Sequence, residues 1–154
     1  MKIVSDINPF LSSYFVWLDI GAVRHTQYNH QTMVRIMPEE KGVLLLSVEN
    51  FTEEEKMLEA GKSLADRIGG GTIGCDQHSL ERWHNAYYGT MRSYMKMGKF
   101  IGKDQSMMAT TCLKSDMCLL VRAPPDHWFW MQEWFRGETD IKPRRLNITR
   151  TRNI

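Results

Sequence analysis

An acidic residue ends an apolar run near the start of the chain. Tyr14 begins the run, which stops at Asp19, and Gly21 follows two residues later. A run without a polar face predicts a buried strand that is covered on both sides. Ligands of α/β sheets bind beyond the carboxyl ends of such strands, so Asp19 is a candidate ligand-binding carboxylate. The alternative is a strand-ending turn in which Asp19 caps a backbone amide.

Two later segments carry residue types that suit a polar pocket. Residues 69–71 are all glycine, and residues 102–105 form a Gly-Lys-Asp-Gln turn that opens a helix. Glycine lets a ligand approach the backbone closely, and an aspartate within reach of a hydroxyl can accept its proton. Both segments also have ordinary interpretations, because polyglycine marks turns and Asp104 suits a helix N-cap.

The elements that must position these residues alternate between strand and helix patterns. Continuous apolar runs or short β-type segments predict strands at residues 14–19, 43–48, 72–75 and 117–121. Capping signals and spacings of three and four residues predict helices at residues 52–67, 76–97 and 104–113. The glycines at 69–71 are expected to end the first helix, because glycine is costly inside one. Interleaved strands and helices predict an α/β fold.

Length and charge narrow the class of protein. The chain has 154 residues, which suits one domain, and a net charge of +2, which is too small to indicate a nucleic-acid binder. Basic residues without acids follow Lys142, so we expect a single domain at residues 1–141 and a flexible basic tail at 142–154. Nucleic-acid binding through that tail is the less favoured alternative.

Cysteine spacing and targeting signals bear on the compartment. Cys75, Cys112 and Cys118 contain no CxxC pair, which predicts mostly free thiols, with a single disulfide as the alternative. The chain as written has no signal peptide and no membrane-spanning apolar segment, so a cytoplasmic location is expected. Glycosylation patterns at Asn50 and Asn147 would instead fit the Golgi or the secretory lumen if an N-terminal anchor has been lost.

The order of these motifs resembles that of the metal-dependent, GT-A type nucleotide-sugar transferases, and most closely the HtrL/YibB-like family of glycosyltransferase-like proteins. The segments that carry the resemblance are Asn8-Pro9-Phe10, residues 15–21 with Arg24, residues 70–74, Arg82-Trp83 with Tyr87, and residues 102–105. The match extends over residues 8–135. It implies the C-terminal portion of a Rossmann-like GT-A fold, with a central mixed sheet flanked by helices and without the N-terminal nucleotide-binding part.

The resemblance also implies a function and roles for individual residues. A hexosyltransferase would move a sugar from a nucleotide-diphosphate donor to a glycan or other acceptor, if the nucleotide-binding part is present. Mn²⁺ or Mg²⁺ would be held by Asp19, because both ions prefer carboxylate oxygens. The late histidine that such enzymes often add would make His127 a second ligand. Donor contacts are expected at Trp17, Asp19, Arg24, Gly70, Gly71 and Lys103. Asp104 would be the general base or would orient the donor sugar. The alternative is a truncated, inactive remnant that acts as a binding or assembly module.

Overall fold

The computed structural model describes residues 1–19, 21, 34–57, 67–125 and 130–146. The helices are α1 (Lys2–Ile7), α2 (Glu53–Met57), α3 (Gln77–Lys96), α4 (Asp104–Lys114) and α5 (Met131–Phe135). The strands are β1 (Tyr14–Leu18), β2 (Val43–Ser47), β3 (Ile68–Asp76), β4 (Cys118–Arg122) and β5 (Arg144–Arg145). All five strands form one mixed sheet, and helices flank it. The predicted α/β class is therefore confirmed.

The direction of the strands defines one edge of the sheet. The strand order is β1-β3-β2-β4-β5, with β2 and β4 parallel and the other neighbours antiparallel. Because β3 runs against both β1 and β2, strands β1, β2 and β4 all point the same way. Their last residues are Leu18, Ser47 and Arg122. We call the side of the sheet where these three strands end the carboxyl edge.

Strand β2 is the centre of the core. All five of its residues are buried, and alternate side chains point to opposite faces of the sheet. Val43 and Leu45 pack in the cluster that includes residues of α3 and α4, whereas Leu44 and Leu46 pack in the cluster that includes α5. The continuous apolar run that predicted a doubly covered strand is thus confirmed for β2.

Strand β1 differs from the prediction of a strand buried on both sides. It is at the end of the sheet, pairs only with β3 among the described strands, and none of its five residues is fully buried. The Trp17 side chain is 39% exposed. An edge strand made of large aromatic residues has the same unbroken apolar pattern as a central one, so the pattern does not distinguish the two positions.

The three glycines lie inside a strand, not at the end of a helix. Leu45 pairs with Ile73 while the next residue, Leu46, pairs with Gly69, so residues 70–72 are inserted into β3 opposite β2. We call residues 70–72 the glycine bulge. The predicted helix at 52–67 is wrong at its end, because Arg67 is a turn residue and β3 begins at Ile68; residues 58–66 lie outside the described part.

Local capping signals are confirmed at two helices. The Thr52 amide donates to Glu55 Oε2 over 2.8 Å, and the Glu55 amide donates to Thr52 Oγ1 over 3.1 Å, which is the capping box expected before α2. Asp76 is the N-cap of α3, where its Oδ1 accepts the Ser79 amide over 2.9 Å. The long helix predicted at 76–97 and the shorter one at 104–113 match α3 and α4.

Two further predictions need correction. Cys112 and Cys118 form a disulfide with a Cα–Cα distance of 5.5 Å, so only the buried Cys75 is a free thiol. The stretch predicted as a flexible tail contains β5, and the Arg145 guanidinium bonds the Glu40 carboxylate and the Lys41 carbonyl. Residues 147–154 lie outside the described part. Within the described residues, no helix has the length and apolar character needed to span a membrane.

Candidate active site at the carboxyl edge

Asp19 lies against the glycine bulge at the carboxyl edge. Its amide donates to the Gly71 carbonyl over 3.0 Å, which extends the β1–β3 ladder by one step. Its Oδ1 accepts the Gly21 amide over 2.9 Å. The turn-capping role considered for Asp19 is therefore observed, and it uses one of the two carboxylate oxygens. The side chain is exposed, so a ligand that approaches this edge would meet a carboxylate.

Asp104 approaches the same bulge from α4. A Cβ atom placed on Gly70 would lie 3.2 Å from Asp104 Oδ2 and 3.3 Å from Gln105 Cγ. Only a residue without a side chain allows this approach without displacing its neighbours, which explains the glycine at position 70. Asp104 Oδ1 accepts the Gln105 amide over 2.8 Å. The glycine bulge thus lies between Asp19 and Asp104.

A cavity of about 580 Å³ lies beside Asp104, on the side of the sheet that α3 and α4 cover. Side chains from β1, α3 and α4 surround it, and the N-terminal residues of α1 contribute to its wall. The residues that matter here are Trp17, Trp83, His84, Tyr87, Tyr88 and Asp104. We call this the aromatic cavity. Its volume is in the range of small-molecule sites, about 300–1,000 Å³.

The electrostatics of the aromatic cavity centre on Asp104 and Tyr87. Burial is the main reason that the pKa of Tyr87 is raised, and the negative charge of Asp104 and the neighbouring Tyr88 raise it further. The Tyr87 phenol therefore keeps its proton at neutral pH and is a hydrogen-bond donor.

The structure brings most of the predicted donor-site residues together. Trp17 lines the aromatic cavity, Asp19 and Asp104 flank the bulge, and Gly70 and Gly71 form it.

The three remaining predicted residues are Lys103, Arg24 and His127. Lys103 is the exposed residue before α4 and occupies the N-cap position, so it is next to Asp104 in the chain. Arg24 and His127 lie outside the described residues, and their predicted roles stay predictions.

The Asp19 carboxylate at the carboxyl edge is the type of ligand that divalent cations such as Mg²⁺ take. Among the residues that the structure describes, no three His, Cys, Asp or Glu side chains gather into a metal-binding group. Mg²⁺ is commonly held by one or two carboxylates, with the remaining positions taken by substrate phosphates and water. Asp19 can supply one such carboxylate. Among the described residues, Asp19 is thus the carboxylate that this edge offers to such an ion.

Sequence reasoning missed two residues of the aromatic cavity, His84 and Tyr88. The spacing of three and four residues that predicts the helix at 76–97 runs through Trp83 and Tyr87. His84 and Tyr88 form a second aromatic pair at the same four-residue spacing, with ring centroids 4.7 Å apart. Two adjacent aromatic stripes are wider than one buried face needs, and that width is the signal that could have identified the cavity wall.

The comparisons with other proteins add no family to this geometry. Searches of this chain against protein families, curated proteins and solved structures find no match. The chemistry of the site is therefore interpreted from its own residues: two aspartates that flank a glycine bulge, beside a cavity with aromatic walls.

Proposed function

We propose that the carboxyl edge is the donor site of a glycosyltransferase-like protein, which transfers a hexosyl group from a nucleotide-diphosphate sugar to an acceptor hydroxyl. The observation that supports this most is the position of the glycine bulge between Asp19 and Asp104. Transfer from a sugar diphosphate needs one group that offsets the negative charge of the phosphates and another that accepts the proton of the acceptor hydroxyl. The finer fold assignment proposed with this function is a GT-A fold.

Asp19 is proposed to bind the donor diphosphate through a divalent cation, Mn²⁺ or Mg²⁺. A carboxylate and a diphosphate repel each other, so the two can share a site only if a cation lies between them. Such an ion, when bound, stabilises the negative charge of the departing diphosphate. Lys103 and Arg24 would add positive charge toward the phosphates. Gly70 and Gly71 leave the backbone accessible to the sugar.

Asp104 is proposed to accept the proton of the acceptor hydroxyl. In the transfer, the acceptor oxygen forms a bond to the anomeric carbon while the bond from that carbon to the diphosphate oxygen breaks. The diphosphate leaves with the electron pair, and the hydroxyl proton moves to Asp104. This carboxylate borders both the glycine bulge and the aromatic cavity, so it lies between the proposed donor and acceptor positions.

The proposal is tested by titrating the protein with UDP and GDP sugars, with and without Mn²⁺, in a calorimeter. Binding heat that requires Mn²⁺ is expected for the wild-type chain. Asp19→Asn should weaken that binding by about tenfold or more, because the amide is a poor ligand for a hard cation. The fold should survive, since the asparagine oxygen can still accept the Gly21 amide.

The matched control is Asp116→Asn. Asp116 is exposed, pairs with Arg82, and lies just before β4 begins, at the opposite edge of the sheet from Asp19. This variant should bind the donor like the wild type. No Mn²⁺-dependent heat with any UDP or GDP sugar, or equal heat for Asp19→Asn and the wild type, would count against the proposed function.

A secretory compartment is proposed over the cytoplasmic location expected from the chain as written. Disulfides persist in oxidising compartments and are rare in the cytosol, and Cys112 and Cys118 are paired. Asn50, in the glycosylation pattern Asn50-Phe51-Thr52, is exposed in the turn between β2 and α2. Both observations agree with passage through the secretory pathway.

A further inference from the structure

The aromatic cavity has a wall that the chemistry proposed for Asp19 and its cation does not use, and this wall includes Trp17, which the sequence predicted as a donor contact. Tyr88 is 41% exposed and Trp17 is 39% exposed, although both are large aromatic residues. Tyr88 contacts His84, with ring centroids 4.7 Å apart, and Tyr87, with centroids 5.8 Å apart in an edge-to-face arrangement. These contacts hold the rings in place next to open space. Asp104 is at the margin of the same space.

The combination of ring surfaces and one carboxylate selects among ligand classes. Lys2 of the lining pairs with Asp6, so an anionic ligand would still be repelled by Asp104. A purely apolar ligand would displace water from that exposed carboxylate without donating a hydrogen bond to it. A pyranose has a face of C–H groups that suits the negative face of an aromatic ring, and a rim of hydroxyls that can donate to a carboxylate. A saccharide can therefore use both the ring surfaces and the carboxylate of the cavity.

We infer that the aromatic cavity is a saccharide-binding subsite, in which Trp17 and Tyr88 contact the face of a pyranose ring and Asp104 accepts a hydrogen bond from one of its hydroxyls. The role of this subsite in the reaction rests on the proposed function, because the bound saccharide is then the acceptor whose hydroxyl gives its proton to Asp104. The acceptor class is thus a glycan and not a serine or threonine of a peptide.

Neighbouring groups in the cavity complete this site. The Tyr87 phenol, whose pKa is raised first by burial and then by Asp104, stays protonated and can donate to a ring or hydroxyl oxygen. His84, half-buried against Tyr88, supplies a second polar group on the same helix. Trp83 is 6% exposed and packs in the core below them, so α3 presents a supported wall.

The test is saturation-transfer difference NMR on the whole chain, without donor and without metal. The probes are the methyl glycosides of glucose, galactose and mannose, the disaccharide cellobiose, and a short Ser/Thr peptide. Transfer to the C–H protons of at least one saccharide is expected with the wild type. Tyr88→Leu should reduce the affinity for that saccharide by about tenfold, since leucine removes the ring.

Two control variants separate the ring from general surface effects. Tyr88→Phe keeps the ring and should retain the binding. Met95→Leu alters another exposed apolar residue of α3, one that does not line the cavity, and should bind like the wild type. Absence of transfer to every saccharide would overturn the inference, as would equal transfer to Tyr88→Leu. Transfer to the peptide alone would also overturn it.

This readout separates the two proposals. Saccharide binding without any Mn²⁺-dependent donor binding would support the subsite and contradict the transferase. Mn²⁺-dependent donor binding that Asp19→Asn weakens, without saccharide binding in the cavity, would support the transferase and contradict the subsite.

Discussion

Asp104 is the first residue of α4, and its position explains why it remains a suitable base. Lys103, not Asp104, occupies the N-cap, so the capping role considered from the sequence is not the one observed. Oδ1 is bonded to the Gln105 amide, whereas Oδ2 faces the glycine bulge.

Asp104→Asn tests the catalytic role of this residue. The asparagine oxygen can still accept the Gln105 amide, so the fold and the donor affinity should stay near wild-type values. Turnover should fall by about 10²–10⁴-fold, which is the usual contribution of a general base. The rate of sugar transfer and the calorimetric donor affinity are the two measurements. An unchanged rate would reduce Asp104 to a residue that stabilises the start of α4.

Gly70→Ala tests the close approach of the bulge to α4. The new methyl group would lie 3.2 Å from Asp104 Oδ2, so the carboxylate must move by a few tenths of an ångström. A misplaced catalytic group can lower the rate by up to about 10²-fold, and we expect a loss of that order. The thermal midpoint should change little. Transfer rate and thermal unfolding are measured together.

Gly89→Ala is the matched control for this substitution. A Cβ atom on Gly89 meets nothing within 4 Å, and the residue lies inside α3. The variant should be more stable by about 0.4–1 kcal/mol, because alanine has less conformational freedom to lose on folding. Its transfer rate should equal that of the wild type. Equal rates for Gly70→Ala and Gly89→Ala would contradict the proposed contact with Asp104.

At the scale of elements, α3 connects the core with the candidate site. Its start is secured by Asp76, which accepts both the amide and the hydroxyl of Ser79. Farther along, the helix places Trp83 in the core and Tyr87 and Tyr88 on the cavity. A shift at the N-terminus of α3 would therefore move the cavity wall. This dependence makes the N-cap a feature of the site as well as of the fold.

Asp76→Ala should lower the free energy of unfolding by about 1 kcal/mol at neutral pH, within the usual range for a lost N-cap. Burial raises the pKa of the Asp76 carboxyl, but hydrogen bonds from Ser79, together with those from the backbone of Gly42 and of Asp76 itself, outweigh it, and the pKa lies below its ordinary value. A folded-state pKa below the unfolded value means that stabilisation is complete above the unfolded pKa and is lost as pH falls through the folded one.

The measurement is denaturant unfolding of the wild type and the variant at neutral and at strongly acidic pH. The difference in free energy between them should shrink on acidification. Asp76→Asn is the control, because asparagine caps helices about as well as aspartate but does not titrate in this range. Its stability relative to Asp76→Ala should not depend on pH. A difference between wild type and Asp76→Ala that is constant with pH would argue against the charged cap.

At the scale of the whole molecule, the Cys112–Cys118 disulfide links the end of α4 to the first residue of β4. It therefore joins the helix that carries Asp104 to the central part of the sheet. On the chain-entropy account, closing so short a loop stabilises the fold by about 2 kcal/mol. Cys75 is buried, and that burial, with the nearby Asp76 charge, raises its pKa to about 12.

Thiol titration tests this arrangement. The native chain should have no thiol that reacts quickly with an aromatic disulfide reagent, because two sulfurs are bonded and Cys75 is buried with a high pKa. The denatured chain should show one thiol, and the denatured and reduced chain should show all three cysteines. Cys75→Ala, which should leave no thiol before reduction, is the control. Three thiols on denaturation without reductant would contradict the disulfide.

The sequence alone determined the features that depend on near neighbours in the chain. The capping box at Thr52 and Glu55 and the N-cap at Asp76 are formed by groups three residues apart, so their signals are complete within one turn. The buried strand β2 and the length of α3 follow from apolar patterns of the right period. The grouping of Asp19, Gly70 and Asp104 was expected from the resemblance, which also relies on order along the chain.

Only the tertiary structure decided features that depend on distant partners. β1 has an apolar run like that of β2, and only the order of the strands shows it to be an edge among the strands that the structure describes. The glycine bulge is a register shift between β2 and β3, and the disulfide requires that α4 and β4 meet. The aromatic cavity likewise needs β1, α3 and α4 side by side. Such contacts depend on packing between elements far apart in sequence, for which the local pattern carries no signal.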